Sequence, residues 1–321
     1  MTSKYAIGID IGGTKISIAL GNERGQILTR AEIPTRTLSK TRACLQAMLA
    51  CLEDLLRKSS VPRRQIQGIG VCLPGPVDSR TGKVPNSPHL RGWKGLSLRS
   101  ILSRAMRLPV FLANDANAAA VGEKVFGRAR KCRHFVYVTV STGIGGGIFT
   151  EGKLLEGKSF VAGEIGHMTI EAGGEPWAMG EKGCLEAYAS GTAIAKYVKK
   201  QIKKGKGSKA LKKLKKRGTL NARTIGELAL RGDELAQQAF RRAGYYLGIG
   251  LGNILNILNP EMVILGGGVW KSAPSIFERE MMKSLKAHSW PEAFRSVKVV
   301  KTSLRHHVGN LGAMALVFMR P

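Results

Sequence analysis

Cysteine is scarce and scattered. Cys44, Cys51, Cys72, Cys132 and Cys184 are odd in number, widely spaced and free of any Cys-x-x-Cys pair, which argues against a disulfide framework and fits a reducing compartment. Long apolar runs are missing too. The longest, Gly244 to Leu258, is broken by Asn253 and Asn256 and falls short of the roughly 20 residues that cross a bilayer, so it reads as a buried helix and no membrane partner is expected. From Met1 the chain runs almost at once into the alternating stretch Tyr5 to Ile11, leaving no room for the charged, apolar and cleavage regions of a secretory leader. A cytoplasmic location is the expectation. Aromatic residues are only 6% of the chain, too few to suggest a base-stacking platform.

Acidic residues are also in short supply, with 22 Asp and Glu against 51 Lys and Arg and a net charge of +29. Between Lys196 and Arg217 lie 12 basic residues and no acid. A solvated helix and loop explains such a run. So does a polyanion, nucleic acid or polyphosphate among them, because counterion release rewards clustered Lys and Arg. What is abundant is core material and glycine. With 321 residues, 43% of them hydrophobic, the chain can bury an ample core and suggests two domains.

Tyr5 to Asp10 and Lys15 to Gly21 read as strands of a hairpin closed by Ile11-Gly12-Gly13-Thr14. A third strand is expected at Gln26 to Ile33. Thr41 to Lys58 carries Leu45, Met48, Leu49, Leu52, Leu55 and Leu56 at helical spacing. Strand Ile66 to Cys72, helix Leu98 to Met106 and strand Val110 to Ala113 follow. The pattern then repeats: Phe135 to Ser141 and Gly146 to Thr150 flank a second glycine turn, with a third strand expected near His167 to Glu171. Helices at Gly191 to Lys204 and Leu235 to Leu258 precede strand Met262 to Leu265, and Val308 to Met319 forms a last helix able to return to the first half. The order implies α/β layers, partly antiparallel, in a duplicated plan.

Three glycine turns end strands: Asp10 to Lys15, Ser141 to Gly147 and Gly266-Gly267-Gly268. Backbone N–H groups on such turns can hold phosphate oxygens. The first is neither a Walker A motif nor a dinucleotide fingerprint, because no Gly-Lys-Ser/Thr end opens a helix. Ala113-Asn114-Asp115-Ala116-Asn117 joins a strand to a small-residue helix. Asn114 or Asp115 could simply cap that helix. Alternatively, Asp115 is a carboxylate placed to take a proton from an attacking hydroxyl. Gly163-Glu164-Ile165-Gly166-His167 and Gly183-Cys184-Leu185-Glu186 add acceptors suited to a polyol.

Together these segments, with Leu73 to Asp78, Asn86 to Trp93 and Asn259-Pro260-Glu261, resemble the ROK family of sugar kinases and sugar-responsive repressors over nearly the whole chain. The resemblance implies the actin-like, hexokinase-type (ribonuclease H-like) fold, with two α/β lobes and an interlobe cleft. The expected lobes are 1–113 plus 305–321, and 114–304. By the same resemblance the chain is an ATP-dependent, glucokinase-type hexose 6-phosphotransferase with Asp115 as base, acting in glycolysis and forming homodimers. Asn86, Asn114, Glu164, His167 and Glu186 then correspond to sugar ligands. Asp10, Gly12, Gly13, Thr14, Lys15, Thr142, Gly143, Gly266 and Gly267 correspond to the nucleotide site, with Asp10 orienting Mg²⁺ through water.

Many ROK members hold a structural zinc on one His and three Cys. Here Trp177 and Met179 stand at two of the cysteine positions, leaving His167 and Cys184. Two strong ligands do not close a tetrahedral site, so no structural zinc is expected and apolar packing by Trp177 and Met179 is expected to hold the loop. Alternative substrates are N-acetylmannosamine, N-acetylglucosamine, mannose and fructose, and polyphosphate is an alternative donor. A repressor would need a helix-turn-helix domain ahead of Asp10, where nine residues stand.

Overall fold

A computed structural model describes residues 3–34, 41–84, 92–304 and 307–319. Its strands are β1 (Tyr5–Ile11), β2 (Lys15–Asn22), β3 (Ile27–Pro34), β4 (Ile66–Leu73), β5 (Val110–Asn114), β6 (Phe135–Val140), β7 (Ile144–Thr150), β8 (Lys153–Leu154), β9 (Met262–Gly266) and β10 (Lys298–Lys301). Its helices are α1 (Thr41–Lys58), α2 (Leu98–Met106), α3 (Asp115–Val125), α4 (Glu186–Ala189), α5 (Gly191–Lys203), α6 (Lys209–Lys216), α7 (Ala222–Leu230), α8 (Glu234–Leu258), α9 (Val269–Ser272), α10 (Pro274–His288), α11 (Pro291–Ser296) and α12 (Val308–Phe318).

The strands form two five-stranded sheets, ordered β3-β2-β1-β4-β5 and β10-β9-β6-β7-β8. Read from the other end, the second repeats the order of the first, as a duplicated plan requires. In the first sheet β1, β2 and β3 are antiparallel while β4 and β5 run parallel to β1. The third strand of the second half is not at His167 to Glu171. It is the two-residue β8, and the expected stretch holds the end of a 3₁₀ turn (Ile165–His167) and a single bridge from Thr169 to Cys184. Backbone N–H groups of Ile170 and Glu171 both go to the Gly183 carbonyl, so no ladder is left to extend.

Two compact units divide the chain, 1–133 with 147–163 and 302–321, and 134–146 with 164–301. In the first, Ile7, Ile9, Ile16, Ile18, Ile69 and Val71 bury a common core with Met48, Leu52 and Leu55 of α1. On α1 these apolar positions recur every three or four residues, the spacing that makes one face of a helix apolar. The expected boundary after residue 113 differs from this division, because α3 packs in the first unit. The buried Glu123 of α3 explains the attachment. Its carboxylate accepts from the Thr302 hydroxyl, from Ser303 N–H (3.1 Å) and hydroxyl (3.3 Å), and from Arg128 N–H (2.8 Å), so a charge that would be costly alone is fully hydrogen-bonded.

Helix α12 lies on β1 and β4 with its backbone almost touching theirs. A side chain at Gly8 would overlap the Asn310 carbonyl oxygen, and one at Gly70 would overlap that of Ala313. Asn310 fastens the contact: its buried amide donates to Gly8 O (3.1 Å) and Ser17 O (3.0 Å) and accepts from the Ser17 hydroxyl (2.8 Å). In the second unit, α6 buries only Leu211, and its lysines are largely solvated. In the basic segment Lys200 pairs with Glu175 at 2.7 Å. No described helix is long and apolar enough to cross a membrane.

Gly70→Ala is expected to cost about 3 kcal/mol or more, since the clash is with helix backbone and exceeds ordinary overpacking. Chemical denaturation of the variant against wild type measures it.

Candidate active site

Parallel pairing aligns the ends of three strands in the first unit. Asp10 on β1 pairs with Cys72 on β4, and Cys72 pairs with Ala113 on β5. At roughly 4.8 Å per strand, Asp10 and the end of β5 are about 10 Å apart. Asn114 caps α3: its side-chain oxygen accepts from Ala116 N–H (2.8 Å) and Asn117 N–H (3.3 Å), and its amide donates to Gly75 O (3.1 Å). The capping role raised for Asn114 or Asp115 thus belongs to Asn114, leaving it one N–H for another partner. Asp115 is the first residue of the helix. It is exposed, and its Oδ1 accepts from Ala116 N–H at 2.8 Å.

Beneath the two carboxylates lies Cys72, fully buried. Its Sγ is 3.5 Å from Asp10 Oδ1 and 3.5 Å from Gly309 O. Burial pushes this thiol well up, and the charges of Asp10 and Asp115 push it further, so it stays protonated and can donate. Asp10 is itself raised by burial, against the thiol, Lys15 and Arg30, which lower it. Its Oδ2 lies so close to Gly309 that a side chain there would overlap it. The adjoining turn is closed by Gly12 N–H to Lys15 O at 2.9 Å. Lys15 pairs with Glu32 across the hairpin at 2.6 Å, and Arg30 pairs with the same carboxylate. A side chain at Gly13 would meet nothing.

The second unit gathers Glu164, His167 and Glu186 near the turn at Thr142 and Gly143. Glu186 Oε2 accepts from Ile144 N–H (2.6 Å) and Oε1 from the Trp177 indole N–H (2.8 Å). A side chain at Gly143 would overlap Glu186 Oε2, so the turn wraps the carboxylate because residue 143 has none. Thr142 O accepts from the hydroxyl of Thr192 on α5 (2.8 Å). Burial raises Glu164; His167 lowers it and Glu186 raises it further. His167 Nδ1 is 3.0 Å from Glu181 Oε1, to which Cys184 Sγ comes within 3.8 Å. Gly266 and Gly267 close β9. Asn86 lies outside the described residues.

Of the two side chains expected to pack the loop, one does. Trp177 is partly buried against Cys184, Ala187 and Tyr188, but Met179 is 75% exposed and contributes its backbone N–H to Glu181 Oε2 at 2.8 Å instead. Glu181 and Cys72 were not singled out in the sequence. The only available sign of Glu181 was its place inside a run lacking its cysteines, and nothing marked Cys72.

The profile of the ROK family matches residues 6–320. The chain belongs to the ROK family. Among its relatives, this ROK protein is 32% identical to a glucokinase of Halalkalibacterium halodurans over 99% of this chain and 96% of that one. It is 31% identical to a xylose repressor of Caldicellulosiruptor bescii over 97% of this chain and 77% of that one. A crystal structure of a ROK glucokinase from Streptomyces griseus with glucose and AMPPNP is 29% identical, covers 97% of this chain and 98% of that one, and has a TM-score of 0.80. The fold is the actin-like ATPase α/β fold of this family.

Because folding raises Asp10 above its unfolded value, its charged form costs stability, and that cost grows as pH rises through the folded value. Asp10→Asn should therefore raise Tm at pH 7 and lose the advantage in acid, which thermal melts across pH measure.

Proposed function

We propose that this ROK protein is an ATP-dependent sugar kinase acting on the 6-hydroxyl of a hexose, with glucose the best substrate and Asp115 the general base. The observation that carries it is an exposed Asp115 carboxylate at the N-terminus of α3, at the end of β5 and next to the capping Asn114. The likeness to glucokinases, one of them solved with glucose and AMPPNP, supports the substrate pair.

In this reading the sugar oxygen attacks the γ-phosphorus as its proton passes to Asp115. A new P–O bond forms, the bond from γ-phosphorus to the bridging oxygen breaks, and ADP leaves. Glu164, His167 and Glu186 hold sugar hydroxyls, with the spare N–H of Asn114 and with Asn86. Backbone amides at Gly13, Thr14, Thr142 and Gly143 hold phosphate oxygens, Gly12 closes the first turn through its N–H to Lys15 O, Lys15 adds charge, and Gly266 and Gly267 border the nucleoside.

Asp10 fits a hydrated divalent cation as a carboxylate oxygen donor beside the first glycine turn, held in place by the close approach of Gly309 to its Oδ2. When bound, magnesium offsets the charge of the phosphates. Residues of the second unit do not fit the zinc of other family members: Trp177 and Met179 bring no thiolate, and among the described residues no cluster of three or more His, Cys, Asp or Glu is arranged to hold a metal. The xylose repressor relative favours a second reading, sugar binding without transfer.

Asp115→Asn is expected to lower kcat by roughly 10²–10⁴ while hexose affinity stays within about threefold, since the amide keeps the shape and loses the proton acceptor. Turnover kinetics with calorimetric sugar binding test this, and near-normal turnover would remove Asp115 as base. Gly13→Ala should raise the KM for ATP several-fold with Tm unchanged, because the added methyl meets only the space assigned to phosphate.

A further inference from the structure

We propose that the turn from Trp177 to Glu181 is a clamp that sets sugar selectivity: Glu181 holds the His167 ring with Nδ1 protonated and Nε2 bare, and Trp177 holds the Glu186 carboxylate. The effect on selectivity, though not the hydrogen-bond arrangement, rests on the sugar-kinase reading above.

The backbone builds the turn. Trp177 N–H donates to Glu181 O at 2.9 Å, Gly180 N–H reaches Trp177 O at 3.3 Å, and Pro176 and Lys182 bridge its base. Gly183 N–H donates to Glu175 O at 2.9 Å. Two side chains four positions apart are thereby presented together. The Lys196 ammonium sits 5.1 Å from the centre of the Trp177 ring, a cation–π contact that fixes the indole.

Each side chain then fixes one acceptor. An ionised carboxylate has no proton to give, so the 3.0 Å contact between His167 Nδ1 and Glu181 Oε1 requires the proton on Nδ1. The partner of one ring nitrogen sets the state of the other. Nε2 of the neutral ring is left as an acceptor, suited to a hydroxyl or N–H donor and unsuited to a carbonyl oxygen. Glu181 is itself held, since its second oxygen takes the Met179 N–H and Cys184 Sγ lies 3.8 Å from the first. Glu186 is held on both oxygens, by Trp177 and Ile144, which fixes the plane in which it can accept sugar hydroxyls. A carboxylate and an indole thus organise this loop.

Glu181→Ala removes the acceptor, Glu181→Gln keeps a carbonyl that can take the Nδ1 proton, and Trp177→Phe keeps the ring without its N–H. Nitrogen-15 NMR of wild type at about pH 8.5, where an ordinary histidine is neutral, should find His167 protonated on Nδ1 and bare on Nε2. In Glu181→Ala that preference should be lost. Metal analysis should find well below one zinc per chain. In kinetics, Glu181→Ala and Trp177→Phe should each raise the hexose KM about tenfold with ATP KM within about twofold, and Glu181→Gln should stay within about threefold of wild type. A proton on Nε2 alone, one zinc per chain lost in Glu181→Ala, or equal damage by Gln and Ala to both substrates' KM would overturn the clamp. If wild type phosphorylates no sugar, the kinase reading fails, while the NMR result still decides the hydrogen-bond arrangement.

Discussion

The first unit depends on how closely α12 approaches the sheet. Gly8 and Gly70 have no side chains, so the helix backbone settles directly on β1 and β4, and Asn310 bonds to both Gly8 and Ser17 from within that contact. One turn of the same helix brings Gly309 against Asp10 and its carbonyl to the Cys72 thiol. The position of the buried carboxylate is thus set by backbone contact, which tolerates far less adjustment than side-chain packing. Dispersion and exclusion of water supply the energy; the glycines supply the geometry.

Charge is managed differently in the two units. In the first, a protonated thiol lies between the charges of Asp10 and Asp115 and donates without adding charge. Asp10 carries a desolvation cost there, the kind of expense that folding tolerates at a site where an anion or cation must be met. In the second, Glu186 is satisfied on both oxygens while Glu164 is raised by burial. A polyol offers hydroxyl donors to such acceptors without bringing counter-charge.

Much of the fold was legible because it rests on periodicity. Helix α1 runs from Thr41 to Lys58 as its apolar spacing indicates, and the two glycine-turned hairpins mark the repeated strand order. Failures came where pattern is too short or masked. Strand β8 is two residues long, and α6 buries only Leu211 among its lysines, so charge obscured the helix. Of the candidate site, Asp115 and Asn114 were readable from a strand-to-helix junction, but only the fold separates the cap from the exposed acid. Lys15 meets Glu32 through strand register, which no local motif encodes. Glu181 is a loop acid whose importance comes from His167, 14 positions away in the chain. The expected packing role of Met179 failed because a methionine can leave its side chain in water and act through its amide.

The central claim is phosphoryl transfer to the 6-hydroxyl of a hexose. The most direct measurement is phosphorus NMR of the product formed when the purified chain is incubated with ATP, magnesium and glucose, with proton coupling used to locate the new ester. The account predicts glucose 6-phosphate and ADP in equal amounts. An ester at another hydroxyl, or ATP left intact with glucose and with every hexose and N-acetylhexosamine tried, would contradict it.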